Sequence, residues 1–296
     1  MVSLPAPDSR APLALHRLTG FVLGRIGVMP ALLTVGVFVL LPCLWLVWLS
    51  VLDRSGALSG ENYARLIEQA SYRRIFLITF RVSFETVLCC LVLGIPFASY
   101  VAKLPPRAFG LVMAAVLFPL WTSLLVRAYA WLVILQRNGL LNTWLQDWGL
   151  IDAPLPLAFN EFATVLGMTH IMLPIFLLPT ISAMRSVDGN LLKASESMGA
   201  SGLRTYLSVF LPLSLSGILA GTILVFVMSL GFYVTPAILG GGNVQVISMR
   251  IARSLSTYSN FGASSAIGVV LLICVFAVLG LSLLLRRRLS GGKETK

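Results

Sequence analysis

Long uninterrupted runs of apolar residues dominate this chain, and short polar stretches separate them. A bilayer core about 30 Å thick is crossed by about 20 apolar residues in a helix, whereas a transmembrane strand alternates apolar with polar positions. The runs here do not alternate, so they predict helices. Six segments are long enough, and we therefore predict an all-α integral membrane protein with six transmembrane helices at roughly 28–52, 76–101, 111–135, 159–184, 212–239 and 262–285.

The composition agrees with lipid as the solvent. Of the 296 residues, 57% are hydrophobic and 11% are charged, whereas a soluble domain carries about 25% charge. The net charge of +11 would suit a nucleic acid, but the cations lie between the apolar runs rather than along one stripe, so we predict no nucleic-acid partner. All four cysteines lie inside apolar runs without a histidine at ligand spacing, and they predict no metal site.

Positive charge assigns the two sides of the membrane. With the N-terminus in the cytoplasm, the inner segments hold more arginine and lysine than the outer loops, and Arg286, Arg287 and Arg288 directly follow the last span. Both termini are then cytoplasmic. The predicted organisation is a cytoplasmic segment, a permease domain with a cytoplasmic loop at about 185–211, and a basic cytoplasmic tail, at 1–27, 28–285 and 286–296 respectively.

Two outer loops, 53–75 and 136–158, are longer than a hairpin requires. They contain aromatic residues, including Trp144 and Trp148, which are typical of anchors at the membrane interface. The alternative is that these loops form short amphipathic helices that face an extracytoplasmic partner.

The cytoplasmic loop has the spacing of a helix, a turn and a second helix. Asp188 or Asn190 is suited to cap the first helix, and Gly199 to end it in the left-handed conformation. Ser201 is suited to cap a second short helix through about Phe210, and Pro212 to occupy the first turn of the next span. The small residues Ala194 and Ser195 would allow close approach of another protein, with Leu191, Leu192, Met198 and Leu203 available to fill an apolar groove. The alternative is an ordinary amphipathic connector.

This spacing resembles the EAA loop of ABC importer permeases of the binding-protein-dependent type. Ala194-Ser195 precedes Gly199 by four residues, and Val209-x-Leu211-Pro212 follows; Lys193 stands where the family usually has glutamate. The resemblance implies that the loop couples to an ATPase through Leu192, Lys193, Ala194, Ser195, Glu196, Gly199, Ala200, Leu211 and Pro212. Segments 93–105, 118–135, 139–142, 171–184 and 230–242 resemble the first permease subunit of spermidine/putrescine importers.

The resemblance implies a transport subunit of the bacterial inner membrane that forms half of a pathway for a small solute, most consistently a polyamine. Its partners would be a homologous second permease, an ATPase dimer and an extracytoplasmic solute-binding protein. Relatives with the same scaffold transport opines, phosphonates, iron or thiamine. The sequence contains no G-x-x-x-x-G-K-[ST] phosphate loop, so we expect no cofactor in this chain, no enzyme activity of its own, and ATP on the partner.

Other classes of function remain as alternatives. An ion-coupled secondary transporter would need acids inside the membrane, and the candidates are Glu85 and Glu161. An integral-membrane enzyme would need a nucleophile with a base or a metal cluster, and neither is present in a suitable place.

Polar and aromatic residues inside the spans are candidates for the translocation path or its gate. The candidates are Glu85, Arg127, Trp131, Phe232, Tyr233, Thr235 and Pro236. Glu85 is four residues from Arg81 and about 14 Å below the outer surface, near mid-bilayer; it either neutralises Arg81 or offers a carboxylate to a cation. Arg127, nearer the outer end of its span, is suited to snorkel, to pair or to gate.

The other candidates have similar pairs of interpretations. His170 fits a hydrogen-bonded core residue. Trp131, Phe232 and Tyr233 either form an aromatic wall for a cation or simply pack. Gly231, Pro236 and residues 240–242 would break the fifth helix near the outer side, where we expect a periplasmic gate.

Overall fold

The computed structural model describes residues 29–30, 32–53, 55–258 and 261–291, with side chains described through residue 282 except that of Tyr258. The predicted segment 1–27 and the side chains of the basic tail lie outside this part. The described chain is helical, as predicted, with one isolated bridge between Leu52 and Leu58. Its helices are α1 Leu32–Ser50, α2 Glu61–Glu68, α3 Ala70–Ala102, α4 Pro106–Leu117, α5 Leu124–Leu135, α6 Leu140–Asp147, α7 Glu161–Arg185, α8 Gly189–Ser197, α9 Gly202–Leu230, α10 Val234–Leu239, α11 Ile247–Tyr258 and α12 Phe261–Gly291.

Within the described residues, five helices, α1, α3, α7, α9 and α12, are long and apolar enough to cross a membrane, and a sixth span exists if the bent pair α4–α5 counts as one. With the bent pair counted as one span, the predicted number of six spans is confirmed. The prediction of one continuous third helix over 111–135 was wrong, because the chain bends by 95° between Trp121 and Leu124. A 3₁₀ turn at Phe118–Trp121 is followed by extended backbone at Thr122 and Ser123, which interrupts the helical hydrogen bonds.

Helix α7 lies at the centre of the bundle, between α3 and α9. Its buried side chains Met172, Phe176 and Ile181 pack with Cys90, Ala98 and Val225 from these neighbours. Two glycines of α9 permit a very close approach. A Cβ on Gly217 would lie 2.3 Å from the Cβ of Ala183, and one on Gly221 would lie 2.7 Å from the carbonyl oxygen of Phe176. This is the small-x-x-x-small packing common between membrane helices.

Two spans contain a π-turn that ends two residues before a proline. In α1 the turn Gly36–Leu40 precedes Pro42, and in α9 the turn Tyr206–Phe210 precedes Pro212. Proline donates no N–H and its ring crowds the carbonyl four residues earlier, and the wider turn accommodates both effects. The predicted second short helix of the cytoplasmic loop is therefore the first part of the fifth span. Pro212 lies in the first turn of the regular α-helical part of that span, Leu211–Leu230, as predicted, although the whole helix begins at Gly202.

The two long outer loops each contain a short helix held by a buried asparagine. The Nδ2 of Asn62 in α2 donates to the carbonyls of Ser50 (3.1 Å) and Leu52 (2.7 Å). Asn142 in α6 donates to the carbonyl of Leu155 (3.0 Å) and accepts from its N–H (2.9 Å). The loops are thus fixed caps on the outer side of the bundle. Trp144 and Trp148 are exposed, and their role as membrane anchors or partner contacts stays a prediction.

Candidate coupling surface and translocation path

The first helix of the cytoplasmic loop, α8, has well-defined ends. The carboxylate of Asp188 accepts a hydrogen bond from the N–H of Asn190 (2.9 Å), so Asp188 is the cap. At the other end Gly199 has a φ of +85°. The N–H of Gly199 bonds to the carbonyl of Glu196 (2.9 Å), and that of Ala200 to the carbonyl of Ser195 (3.2 Å). These two bonds form a Schellman motif, which confirms the predicted end of the helix.

Side-chain hydroxyls fix α8 against the start of α9. Ser201 caps α9 by accepting from the N–H of Arg204 (3.4 Å), as predicted. The hydroxyls of Ser195 and Thr205 lie 3.0 Å apart and share a hydrogen bond. Ser195 is therefore not just a small surface residue, since it joins the two arms of the loop, whereas Ala194 remains exposed.

The loop presents an apolar surface to the cytoplasm. Leu191, Met198 and Leu203 are 48%, 88% and 70% exposed. Leu192, which was predicted to join them, is half-buried and packs against the core, so it anchors the loop instead. Lys193 and Glu196 are exposed on the same helix, and a shallow groove lined by Leu203, Arg204 and Leu207 adjoins it. Exposed apolar residues grouped in this way mark a contact surface.

One link between this loop and the membrane helices was missed by the sequence reasoning. Tyr206, in the π-turn of α9, points into the bundle, and its hydroxyl lies 2.9 Å from that of Ser99 on α3. The ring of Tyr206 also stacks on Phe210, with centroids 5.6 Å apart. The loop is therefore tied to a second span as well as to the one it begins.

Glu85 belongs to a cluster of three charges at the outer side. Arg81 donates from Nε and Nη2 to both carboxylate oxygens of Glu161, and its Nε lies 3.6 Å from Oε1 of Glu85. Arg81 is thus neutralised chiefly by Glu161, a partner on α7 that the sequence reasoning did not pair with it. One cation faces two carboxylates, which leaves one negative charge in surplus.

The cluster lies closer to the outer surface than predicted. Glu161 is the first residue of α7, so Arg81 lies at the outer end of that span, and Glu85 is one turn, about 6 Å, deeper. The reason is that α3 begins at Ala70, several residues before the predicted start, and its first turns rise above the end of α7.

A second polar cluster lies deeper in the membrane. The indole Nε1 of Trp131 donates to Nδ1 of His170 (3.2 Å), and the rings meet edge-on. His170 is hydrogen-bonded, as expected, although it is only half-buried. It lies nine residues beyond Glu161 on α7, which places it about 14 Å below the outer end of the helix, near mid-bilayer.

Arg127 lies one turn before Trp131 on α5. Leu135, at the other end of α5, packs with Ala163 near the outer end of α7, so the helix runs outward and Arg127 lies deep. This differs from its expected place near the outer end of a straight span, because the bend moves the start of α5. Two of its nitrogens, Nε and Nη1, are buried without a hydrogen-bond partner among the described residues.

The fifth span is interrupted near its outer end. Helix α9 ends at Leu230, the short α10 follows, and Gly241 and Gly242 both have positive φ. The predicted break of the fifth helix is confirmed. The continuous helix ends at Leu230, before the predicted end of the fifth span at residue 239. Of the predicted gate residues, Thr235 and Pro236 are buried, Phe232 is half-buried, and Tyr233 is 47% exposed.

Two of the three predicted wall aromatics, Phe232 and Trp131, pack in different clusters. Phe232 packs against a cluster that contains Val82 and Met168, and its carbonyl accepts a hydrogen bond from Ser248 (2.7 Å). Trp131 packs in another cluster, with Leu135 and Leu239. A common aromatic wall and a gate at this break stay predictions.

Comparison with known proteins identifies the family. Residues 91–291 match the family of the binding-protein-dependent transport system inner membrane component. The chain is 32% identical over 259 residues to the spermidine/putrescine transport system permease protein PotB of Escherichia coli strain K12, covering 86% of this chain and 92% of that protein. It has the same identity to PotB of Haemophilus influenzae over 246 residues, covering 80% and 86%.

Solved structures share the fold at low identity. A bacterial alginate ABC transporter in complex with an alginate pentasaccharide-bound periplasmic protein matches with a TM-score of 0.78 at 15% identity, covering 92% of this chain and 96% of that one. The MetNI methionine ABC transporter in inward-facing conformations matches with a TM-score of 0.55 at 14% identity, covering 78% and 99%. These likenesses concern architecture alone, whereas the family match spans more than half of the chain. This chain therefore belongs to the family of binding-protein-dependent transport system inner membrane components, the multi-pass permease subunits of bacterial ABC importers.

Proposed function

We propose that this chain is the permease subunit that forms half of an import pathway for a small polycationic solute, a polyamine such as putrescine or spermidine. The observation on which the solute rests is the 32% identity, over 86% of the chain, to permeases named for spermidine and putrescine. The surplus carboxylate beside Arg81 supports a cationic solute, because it offsets part of the cost of dehydrating an ammonium group.

The proposed energy source is a separate ATPase. The exposed surface of the loop is proposed to dock on that subunit; it carries Leu191 and Lys193 on α8, Met198 directly after α8 and Leu203 at the start of α9. A homologous second permease would complete the pathway, and a solute-binding protein would deliver the solute to the outer caps. Closure of the ATPase dimer would move α8 and, through α9 and the Tyr206–Ser99 contact, rock the spans between two states.

We expect the isolated chain to bind no ATP. Its sequence lacks the G-x-x-x-x-G-K-[ST] loop that holds the phosphates with backbone amides and an ammonium group. Photolabelling of the purified subunit with an azido analogue of ATP measures this, with the assembled complex as the positive control. Saturable labelling of a preparation free of the ATPase would contradict the assignment.

Glu85→Gln is expected to lower polyamine uptake by about tenfold, on the order of the 1–2 kcal/mol that an amide loses relative to a carboxylate facing a cation. The Arg81–Glu161 pair stays intact in this variant, so the complex should assemble. The measurement is uptake by the reconstituted complex, normalised to assembled protein. Glu68→Gln, the same change at an exposed acid on the outer side, is the control and should leave uptake unchanged.

The double variant Arg81→Gln with Glu85→Gln separates two roles of Glu85. If Glu85 only balanced Arg81, removing both charges would restore uptake. We expect no recovery, because the carboxylate that faces the solute is missing from the double variant as well. Assembly of the complex, measured beside uptake, shows whether the loss of the partner of Glu161 has an effect of its own. Equal uptake by Glu85→Gln and Glu68→Gln would eliminate the substrate role. Efficient uptake of an opine, a phosphonate, iron or thiamine, with none of putrescine or spermidine, would replace the proposed solute.

A further inference from the structure

Three cations meet at the inner end of the bundle. Arg185 is the last residue of α7, and its side chain reaches the turn between α3 and α4. Its guanidinium carbon lies 4.0 Å from the centroid of the Phe109 ring, and its Nη1 donates to the carbonyl of Leu104 (3.4 Å). These contacts place the guanidinium beside the segment that carries Lys103 and Arg107. We refer to Lys103, Arg107 and Arg185, with the ring of Phe109, as the inner basic cluster.

The cluster is compact enough to serve one anionic group. Lys103 and Arg107 are four residues apart, so their Cα atoms are separated by at most about 14 Å. Leu104, whose carbonyl accepts from Arg185, lies between them in the chain. The three charges therefore surround one short turn of the backbone.

The described chain supplies no carboxylate to this cluster. The ion pairs of the described residues all lie on the outer side. Asp188, the acid nearest to Arg185 in sequence, caps α8 by accepting from the N–H of Asn190. Lys103, Arg107 and Arg185 are all exposed. An anion from outside the chain can thus reach each of the three charges.

Exposed apolar residues lead from the cluster into the membrane. Tyr100 lies one turn before Lys103 on α3 and is 67% exposed, and Phe97, a further turn away, is 38% exposed. On α4, Leu111 lies one turn beyond Arg107 and is 75% exposed. Residues three or four apart share a helix face, so each of these apolar columns ends at a cation. Apolar columns fit acyl chains, and cations at the membrane surface fit an anionic headgroup.

We propose that the inner basic cluster binds the headgroup of an anionic phospholipid, whose acyl chains lie along the exposed columns of α3 and α4. Arginine presents a planar fork of donors that matches the oxygens of a phosphate, and Arg185 is already oriented by Phe109 and Leu104. An acidic protein surface would match the charge but would leave the apolar columns uncovered. The inference does not depend on which solute is transported.

The proposed site adjoins the cytoplasmic loop. Arg185 lies three residues before Asp188, the cap of α8. A bound headgroup would therefore hold the start of the loop at the membrane surface.

Native mass spectrometry of the full chain in a neutral detergent measures the binding. We expect one phosphatidylglycerol to bind at least about tenfold more tightly than phosphatidylcholine with the same acyl chains, because only the first has a net negative charge. Arg185→Gln should weaken the binding of phosphatidylglycerol by about fivefold, the effect of one cation near an anionic headgroup. Arg204→Gln, at an exposed cation near the start of α9, is the control and should bind normally. Equal affinity of the native chain for the two lipids, or of the two variants for phosphatidylglycerol, would overturn the proposal.

Phe109→Leu separates a built site from diffuse positive charge. This variant keeps all three cations but removes the ring beneath Arg185, and we expect phosphatidylglycerol to bind about threefold more weakly. Unchanged affinity would show that the arrangement of the charges is irrelevant, and the site would be wrong. The variant keeps the test decisive if Arg185→Gln fails to fold, which the unfolding temperature of each variant without added lipid reports.

Two further measurements identify the occupant. Glycerol phosphate in large excess should not displace the lipid, because it lacks the acyl chains; displacement would indicate a site for free phosphate instead. Phosphatidylglycerol should also stay bound in the assembled complex. Its exclusion there, with loss of the ATPase from the Arg185→Gln complex, would identify the cluster as a protein contact and overturn the lipid site.

Discussion

Replacing Gly199 with valine is expected to abolish transport while the chain still inserts into the membrane. The Schellman motif that ends α8 requires a φ of +85° at this position. A β-branched residue is an outlier there, and a left-handed conformation costs an ordinary residue about 1–2 kcal/mol. The turn would relax, and the hydroxyl contact between Ser195 and Thr205 would be lost with it. The surface of α8 would then no longer face the ATPase in a fixed orientation.

Uptake and substrate-stimulated ATP hydrolysis of the reconstituted complex measure this effect. Gly199→Asn is the informative companion, because asparagine tolerates positive φ and should keep much of the activity. Gly202→Val is the matched control, since Gly202 does not have positive φ and an added Cβ meets nothing within 4 Å. Uptake by Gly199→Val equal to that of Gly202→Val would remove the loop conformation from the mechanism.

The local parts of this fold could be predicted from sequence because their causes are local. Apolar runs of sufficient length define the spans, and Asp188, Gly199 and Ser201 define the ends of the loop helices within a few residues. Hydropathy shows where a chain enters lipid but not where a helix begins. For this reason the polar start of α9 at Gly202 was taken for a separate helix, and the start of α3 at Ala70 was missed. The break after Trp121 was missed because the sequence stays apolar on both sides of it.

The candidate sites depend on contacts between residues that are distant in the sequence, and the sequence does not show which residues are in contact. Glu161 neutralises Arg81 from a helix eighty positions away, so the closer residue, Glu85, was taken for the partner. Likewise, Trp131 and His170 were considered separately, although their hydrogen bond joins two spans. Tyr206 had a usable signal, a tyrosine six residues before the proline of the fifth span, but only the fold shows that it contacts Ser99.

Gly217→Leu is expected to have the other large effect, on stability rather than on coupling. A Cβ at this position would lie 2.3 Å from the Cβ of Ala183 and 2.4 Å from the carbonyl oxygen of Pro179. The second contact is with backbone, so no side-chain rotation relieves it, and α7 and α9 must separate. Overpacking of this kind costs about 1–3 kcal/mol even before the larger side chain is accommodated, and we expect the unfolding midpoint of the purified subunit to fall by about 10 °C.

The control and the partial rescue make this prediction specific. Gly280→Leu introduces the same side chain into α12, where an added Cβ meets nothing within 4 Å, and should unfold near the native temperature. Ala183→Gly combined with Gly217→Ala should recover only part of the stability lost by Gly217→Ala, because the Pro179 carbonyl remains in the way. Unfolding of Gly217→Leu at the temperature of Gly280→Leu would show that the close approach is not required. Because α8 connects α7 to α9 in the chain, separation of these two helices should also uncouple the loop from the spans it moves.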